Sequence, residues 1–425
     1  MALEASNFNQ IRYACELVFI YNKNESETID AYNIMSIKIE KDDSLFLPVY
    51  GINLYLKNSS MKKLITNKDN VKVYLKLYRC SKTIYQNEFD SSKGYLSFNE
   101  VFIPIFDSVD LTNDNNLTNS KTSYNDEELA TNLFDLYLFK EADLIASKKV
   151  NNFILNNTSV LDTIGVIATN CGIDSILIQN PDNYKINSQV FIPQLNLNNS
   201  LMYLQDMYNV YKSGLITNLD LGVLYILKKD FSGTLPLYLD YDNIYIHVLK
   251  TSNIENVEGG YYKDISSKCF RIKTTINNIS FSNSENINSS LDGSTFKVID
   301  NSSLLNAASY NSETGKWSFN KVSSTVSSNT KSALSTTKYI DDLHSKNVSE
   351  ITTELNKNSE TSNLFITNFD MAILKLNKKY NIIIEDNNTQ KLYSKTYRPS
   401  NLSCVLTREN SGLMSIAASI ILVKI

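Results

Sequence analysis

Histidine is almost absent from this chain of 425 residues, which has two, and cysteine occurs only as five scattered residues. No two cysteines stand at the short spacing of a zinc knuckle, and none has a histidine near it in the sequence. The five are Cys15, Cys80, Cys171, Cys269 and Cys404. This scatter predicts reduced, mostly buried thiols and argues against a disulfide framework.

Motifs of the common catalytic classes are missing as well. The chain has no GxSxG nucleophile elbow, no GxGxxG turn and no GxxxxGK[ST] phosphate loop, so the sequence does not indicate a serine hydrolase or a nucleotide-using enzyme. A glycosidase needs only two carboxylates at a set separation, and 45 acidic residues leave that class open. We therefore predict no catalytic residue, no cofactor and no metal.

The two histidines do not change this expectation. His247 lies between Ile246 and Val248 in a predicted strand, which favours a hydrogen-bonded structural role over a catalytic one. His344 follows Asp341 and Asp342, but no second histidine or cysteine completes a conventional metal site there.

Charge and hydropathy exclude further partners. The 41 Lys and Arg nearly balance the 45 Asp and Glu, and the formal net charge of -4 creates no positive field for nucleic acid or an anionic membrane. The first ten residues lack a basic segment followed by an apolar one, which predicts no secretion signal. No apolar run reaches the roughly 20 residues of a membrane helix, and Ile416–Ile425 is predicted to be a buried strand. We expect no membrane and no sequence-specific nucleic acid among the partners.

The richest structural signal lies between Phe191 and Asp230. Asn196 or Asn198 can cap the start of a helix, and Gly214 can end it in the left-handed conformation. An apolar stripe at helical spacing connects these ends. The stripe consists of Leu197, Leu201, Leu204, Tyr208 and Tyr211.

Two short apolar strands follow the glycine, at Leu215–Leu219 and Val223–Leu227. They are joined near Asp220, Leu221 and Gly222, a sequence typical of a turn. The whole unit is therefore predicted to be a helix, a tight turn and a hairpin.

This order of residues resembles the central baseplate hub proteins of contractile-tailed phages, which join the tail tube to the cell-puncturing spike. The resemblance is carried by Ile192, Pro193, Leu204, Tyr208, Tyr211, Gly214, Asp220, Tyr225, Ile226 and Leu227. A second match runs from Tyr380-Asn381-Ile382-Ile383-Ile384 through Tyr393 to Tyr397-Arg398, as strand, polar turn and strand. We take as its structural signature Leu197, Leu201, Leu204, Tyr208, Tyr211, Gly214, Asp220 and Tyr225.

The resemblance implies a β-dominated α+β fold with two tail-tube-like antiparallel β-barrel domains and a middle helix-strand module. It also implies a non-enzymatic structural protein of the virion tail baseplate, assembled in the host cytoplasm and taking part in DNA ejection by a contractile injection system. The implied partners are two further copies in a homotrimer, a tail tube protein and a central spike protein. Baseplate wedge proteins are additional candidates.

Independently of the resemblance, the pattern of residues predicts β-structure at both ends of the chain. In the stretch from Val71 to Tyr78 apolar residues alternate with lysine and tyrosine, which is typical of a strand with one face on a core. Closely spaced strands of this kind favour an antiparallel barrel or sandwich. The predicted N-terminal strands are Tyr13–Tyr21, Tyr32–Ile39, Leu45–Leu56, Val71–Tyr78 and Tyr95–Ile105.

The middle of the chain alternates helices with strands. A helix capped by Ser159, with Val160, Ile164 and Ile167 on one face, is predicted to end at Asn170–Gly172. The other predicted elements here are a surface loop at Asp107–Glu128 and strands at Leu133–Phe139 and Ser175–Gln179. Later strands are predicted at Ile244–Leu249, Cys269–Thr275, Phe296–Ile299, Leu364–Ile366, Met371–Leu376, Tyr380–Ile384, Lys391–Tyr397 and Ile420–Lys424.

These elements, together with the tube-like barrels that the resemblance implies, predict four regions. Residues 1–110 form an N-terminal tube-like β-barrel, and residues 111–230 form the middle α+β module. Residues 231–362 contain strands and a Ser/Asn-rich insertion at 301–362, within which Lys338–Leu355 is compatible with a helix. Residues 363–425 supply strands that complete a second tube-like domain.

Two other functions remain open from the sequence. A tail-associated adhesin or receptor-binding protein would also be β-dominated and rich in Asn, Ser and Tyr. A tail-associated cell-wall hydrolase would need a catalytic pair of acids, which folding could assemble from distant residues.

Overall fold

The computed structural model describes residues 8–22, 25–68, 70–83, 88–89, 94–105, 131–229, 243–249, 260–282, 308–311, 316–319, 360–385 and 391–425. Most of these residues lie in β-strands. No α-helix within these ranges combines the length and hydropathy of a transmembrane segment. The predicted β-dominated α+β fold is confirmed.

Seven strands and one helix form the N-terminal part. They are β1 (Asn9–Asn22), β2 (Glu25–Ile29), β3 (Ile34–Asp42), β4 (Val49–Lys57), α1 (Asn58–Thr66), β5 (Lys72–Thr83), β6 (Tyr95–Ile105) and β7 (Thr131–Lys140). Buried and more exposed side chains alternate along most of β1, as the two faces of a strand require. The inward side chains build a large core in which Tyr13, Phe19 and Phe102 are fully buried.

The middle module follows β7. Its elements are α2 (Glu141–Lys148), β8 (Val150–Ser159), α3 (Val160–Cys171), β9 (Ser175–Ile178), β10 (Ile186–Asn196), α4 (Leu197–Tyr208), β11 (Leu215–Asp220) and β12 (Val223–Lys228). Strands β8 and β10 form an antiparallel two-stranded ribbon, and β12 lies between β11 and β9 in a separate sheet. Helices α3 and α4 pack together against the ribbon and share a core of their own.

The ends of α3 and α4 show how the sequence limits a helix. The Ser159 side chain accepts the N–H of Asp162, and Gly172 ends α3 at a φ of 77°, as predicted. Asn196 caps α4 by accepting the N–H of Asn199. The helix then ends at Asn209, which has a φ of 53°, and not at Gly214 as the sequence predicted.

The C-terminal part begins after the middle module. Its strands are β13 (Asn243–Leu249), β14 (Gly260–Asp264), β15 (Cys269–Thr275), β16 (Ile279–Ser282), β17 (Ala308–Asn311), β18 (Lys316–Phe319), β19 (Thr361–Thr367), β20 (Lys379–Glu385), β21 (Lys391–Arg408) and β22 (Met414–Lys424). Apart from the β17–β18 pair, they run in the order β16-β19-β22-β21-β20-β13-β15-β14. Neighbouring strands are antiparallel except around β13, which is parallel to both β15 and β20.

The long hairpin β21–β22 belongs to both the N-terminal and the C-terminal part. The first half of β21 pairs with β20 up to Tyr397, and the second half pairs with β3 from Asn401 onward. Strand β22 pairs with β1 at Met414 and with β19 further along. A closed ring results from β1, β5, β6, β7, β4, β3, β21 and β22. The pairing of β14 with β1 also closes a larger circuit of eleven strands.

The predicted strand Met371–Leu376 is wrong. Met371–Ile373 is a 3-10 helix whose start is capped by Asp370, because that carboxylate accepts the N–H of Ala372. The apolar run enters the core through tight turns, and Ile373, Leu374 and Leu376 are all buried. Three other predictions lie outside the described residues, namely the loop Asp107–Glu128, the strand Phe296–Ile299 and the helix-compatible Lys338–Leu355.

Candidate functional site

A group of buried charges lies where the N-terminal strands meet the middle module, and Asp220 is part of it. Asp220 ends β11 and pairs directly with Val223 of β12, so the hairpin loop consists of Leu221 and Gly222 alone. These two residues have φ values of 52° and 82°. Positive φ at both loop positions is the geometry of a type I′ turn, which matches the twist of the strands. The turn places Asp220 at the tip of its hairpin.

Lys41 of β3 is the partner of Asp220. The Lys41 ammonium donates a hydrogen bond to Oδ2 of Asp220. The side chains are only 7% and 4% exposed. A buried ion pair tolerates the loss of neither partner, because the remaining charge would be unpaired and poorly solvated. The pair therefore fixes the tip of the β11–β12 hairpin to the N-terminal strands.

The connection between β3 and β4 provides a second attachment beside this pair. The N–H of Leu219 donates to the carbonyl of Phe46 at 2.7 Å. The Asn218 side-chain amide donates to the carbonyl of Leu45 at 3.0 Å. Phe46 and Leu47 also pack against the core of the middle module. Three consecutive residues, Asn218, Leu219 and Asp220, thus all contact β3 or the connection that follows it.

Asp143 of α2 is a second buried carboxylate. Its Oδ1 accepts the N–H of Gly222 at 3.0 Å. Burial raises the pKa of Asp143 to about 6, an increase that the positive charge of Lys140 opposes and the charge of Asp220 reinforces. Lys140 in turn lies 3.0 Å from a carboxylate oxygen of Glu100.

A small cavity between these charges has room for about one water molecule. It is lined by Leu47, Pro48, Tyr50, Phe139, Lys140, Asp143, Asp220 and Leu221. Burial, together with the carboxylates of Asp220 and Asp143, raises the pKa of Tyr50 well above its usual value. The phenol therefore stays protonated. A cavity of this size does not admit a substrate, and the arrangement is suited to holding two parts of the chain in one orientation.

Five of the eight signature residues lie in the core of the middle module. Leu197, Leu201 and Leu204 are buried on one face of α4. Tyr208 is partly buried, and its hydroxyl accepts the N–H of Phe191 at 3.1 Å. Tyr211 lies beyond the helix, where its buried hydroxyl donates to the carbonyl of Gln179.

The other three signature residues lie apart from this core. Gly214 has a φ of 95° and precedes β11. Tyr225 of β12 faces a small separate cluster that includes Ile216 and Leu227. Asp220 alone joins the buried charges, so the signature residues do not form one chemical site.

No pattern in the sequence singles out Lys41, Tyr50 or Asp143. A weak signal for Lys41 exists, because it continues the inward series of Ile37 and Ile39 at every second position of β3. A lysine at an inward position requires a buried partner. The sequence does not indicate which of 45 acidic residues supplies it.

The histidines and cysteines lie elsewhere. His247 of β13 is buried with Nε2 at 3.3 Å from the Arg271 guanidinium. His344, Asp341 and Asp342 are outside the described residues. All five cysteines are buried, and none is disulfide-bonded. Within the described ranges, no three His, Cys, Asp or Glu side chains gather in an arrangement that could hold a metal ion.

Comparison with known proteins identifies one family. The family model described as Bacteriophage PBS1 gene 109 protein matches residues 3–425. Among curated proteins, no relative matches the chain.

Several solved structures are similar at low identity. The tail protein from Neisseria meningitidis MC58 is 9% identical, with 97% of this chain and 96% of that chain covered and a TM-score of 0.46. The 43 kDa tail protein of prophage MuSo2 from Shewanella oneidensis is also 9% identical, with coverage of 98% and 97% and a TM-score of 0.43. The E. coli c3393 protein, a component of the type VI secretion system, is 6% identical, with coverage of 92% and 74% and a TM-score of 0.39. At such scores the likenesses do not establish a common fold, and no role passes from these proteins to this chain.

Proposed function

Because the chain belongs to the family of the bacteriophage PBS1 gene 109 protein, we propose that it is a structural, non-enzymatic component of a phage tail baseplate. Its role is that of a hub, a homotrimer that joins the sixfold tail tube to the threefold central spike. The protein is assembled in the host cytoplasm and resides in the virion tail. The motif residues from Ile192 to Leu227 and from Tyr380 to Arg398 support this role through their resemblance to hub proteins.

The observation that carries the proposal is the hairpin β21–β22, which supplies strands to both β-rich parts of the chain. A hub must meet two different symmetries at its two ends. Three chains with two β-barrels each offer six barrels to a sixfold ring while keeping a threefold axis for the spike. A shared hairpin would hold the two barrels of each chain at a constant relative orientation.

The buried charges around Asp220 support the same role. They connect the middle module to the N-terminal strands through a hydrogen-bonded ion pair in the interior. Buried polar groups of this kind favour one arrangement over others, because any shift leaves a charge without its partner. A joint with a single orientation suits a protein that transmits the geometry of a spike to a tube.

Placement in the virion tests the function directly. Antibodies raised against the purified chain and labelled with gold are applied to intact virions and to tails whose sheath has contracted. If the chain is a hub, the gold label should lie at the end of the tail that is distal to the head. Label at the tips of fibres would favour the adhesin instead, and label on the head would exclude both.

Activity is tested on the purified chain without any spike protein. A structural hub leaves a gel containing peptidoglycan intact. Clearing of that gel would show that the chain is a cell-wall hydrolase.

A further inference from the structure

The ribbon β8–β10 exposes apolar side chains on its outer face. Ile154 and Phe191 are direct cross-strand partners, and they are 55% and 44% exposed. Val150, near one end of the ribbon, is also exposed. The opposite face packs against α3 and α4 through Val190 and other inward residues, so the helices do not cover the outer face. Two large apolar side chains that are exposed side by side on neighbouring strands offer a surface for contact with another chain.

The ribbon contains no charged residue. Neither Val150–Ser159 nor Ile186–Asn196 includes Asp, Glu, Lys or Arg, although these make up 20% of the chain. The exposed polar groups around Ile154 and Phe191 are amides, among them Asn152, Asn156 and Gln189. Exposed strands usually carry charges, lysine above all, that block association. The centres of protein interfaces are depleted in such charges.

One edge of the ribbon is also open. Within the described part of the chain, β8 and β10 pair only with each other. The edge formed by β10 is occupied, because the N–H of Phe191 donates a hydrogen bond to the Tyr208 hydroxyl. No backbone hydrogen bond joins the outer edge of β8 to another described segment. An open strand edge beside an apolar face is a template for contact with another chain.

We propose that the outer face of the ribbon around Ile154 and Phe191 is a self-association surface that packs against a second copy of this chain. The proposal rests on the homotrimer of the proposed function and identifies the surface that holds its subunits together. The absence of charged residues from the ribbon indicates which partner fits this face. A charged partner would lose solvation without gaining an ion pair on this uncharged face. The same ribbon on a second copy instead brings apolar groups and amides, and amides both donate and accept hydrogen bonds.

Single charges placed on the outer face test the proposal. Ile154→Lys and Phe191→Glu, made separately, insert a charge at positions that are exposed within one chain, so the melting temperature of each subunit should not change. Association should weaken by about a hundredfold or more, as for the loss of a central interface residue. Native mass spectrometry over a dilution series measures it. The matched control is Ile265→Lys, in the turn between β14 and β15, where Ile265 is 76% exposed.

The outcomes separate the inference from the proposed function. A trimeric wild type with dissociated ribbon variants and a trimeric control supports both. Trimers formed by all variants overturn the inference and leave the hub standing. A monomeric wild type overturns the homotrimer and this inference together, while gold labelling still tests placement in the tail.

A second measurement applies if the charged variants fail to fold. Because all five native cysteines are buried, Asn152→Cys places a single accessible thiol on the outer face of the ribbon. The assembled protein should show a loss of maleimide labelling relative to the dissociated subunit. Equal labelling in the two states would overturn the proposal.

Discussion

Lys41 and Asp220 form a buried ion pair although 179 positions separate them in the sequence. The pair links β3, in the closed ring of strands, to the tip of the β11–β12 hairpin in the middle module. Asp143 approaches the same turn from α2 through its hydrogen bond with the Gly222 N–H. The orientation of the middle module on the ring therefore depends on a small number of charges in the interior.

Replacing Lys41 by Met should lower the free energy of unfolding by about 3 kcal/mol or more, because it leaves the Asp220 carboxylate buried without its cation. Urea unfolding followed by circular dichroism measures the change. The double variant Lys41→Met/Asp220→Leu removes both charges and should recover most of the lost stability.

The matched control is Lys38→Met on the same strand. Lys38 pairs with Glu40, but the two side chains are 53% and 42% exposed. A solvated pair of this kind contributes less than about 1 kcal/mol. Equal effects of Lys41→Met and Lys38→Met would contradict a structural role for the buried pair.

Stability should depend on pH through Asp143. Because its pKa is raised to about 6 in the folded protein, the unfolded chain loses this proton first as the pH rises. The resulting loss of stability begins near pH 4, grows with rising pH and is complete above about pH 6. Asp143→Asn removes the titration and keeps an oxygen acceptor for the Gly222 N–H.

We therefore expect Asp143→Asn to be more stable than the wild type by about 3 kcal/mol at pH 8 and equal to it near pH 4. Urea unfolding of both proteins at the two pH values measures the difference. A difference that stays constant with pH would show that Asp143 titrates in the folded protein as it does in the unfolded chain.

The apolar stripe of α4 can be tested by Leu204→Asp. Leu204 is fully buried in the core of the middle module, so the variant places an unpaired carboxylate there. The expected loss is about 4 kcal/mol or more. Met207→Asp is the control, because Met207 lies on the same helix but is 58% exposed. Similar melting temperatures of the two variants would contradict the burial of this stripe.

Two glycines provide a matched pair for backbone effects. Gly222 has a φ of 82° in the type I′ turn beside Asp220, so Gly222→Ala should cost about 1 kcal/mol or more. Gly165 lies inside α3, and an added Cβ would meet nothing within 4 Å. Gly165→Ala should therefore raise stability by about 0.5–1 kcal/mol. Thermal melting shows whether each substitution raises or lowers the stability. An increase in stability for Gly222→Ala would contradict the turn geometry.

Local patterns were sufficient to predict many elements of this chain. The cap at Ser159 and the left-handed Gly172 define α3 as the sequence predicts, and the alternation in Val71–Tyr78 locates β5. Strands β8 and β10 are absent from the prediction. Their Asn-rich sequences lack a clear alternation of apolar and polar residues, because their outer faces carry Ile154 and Phe191.

Pairing between distant segments is what the sequence does not reveal. The predicted strand Lys391–Tyr397 is only the first half of β21, and the half that begins at Asn401 pairs with β3 across more than half of the chain. The same limit applies to the buried charges. Hydrophobic periodicity places Lys41 on an inward face, but only the folded chain brings Asp220 and Asp143 to that place.

Imaging of the assembled tail, at a resolution that separates β-strands, is the most direct test of the hub. We expect three copies of the chain around a central channel at the junction of tube and spike. Each copy should present two β-barrels to the sixfold tube, with the hairpin β21–β22 shared between them. Density for the chain at fibre tips, or six copies with one barrel each in contact with the tube, would contradict this role.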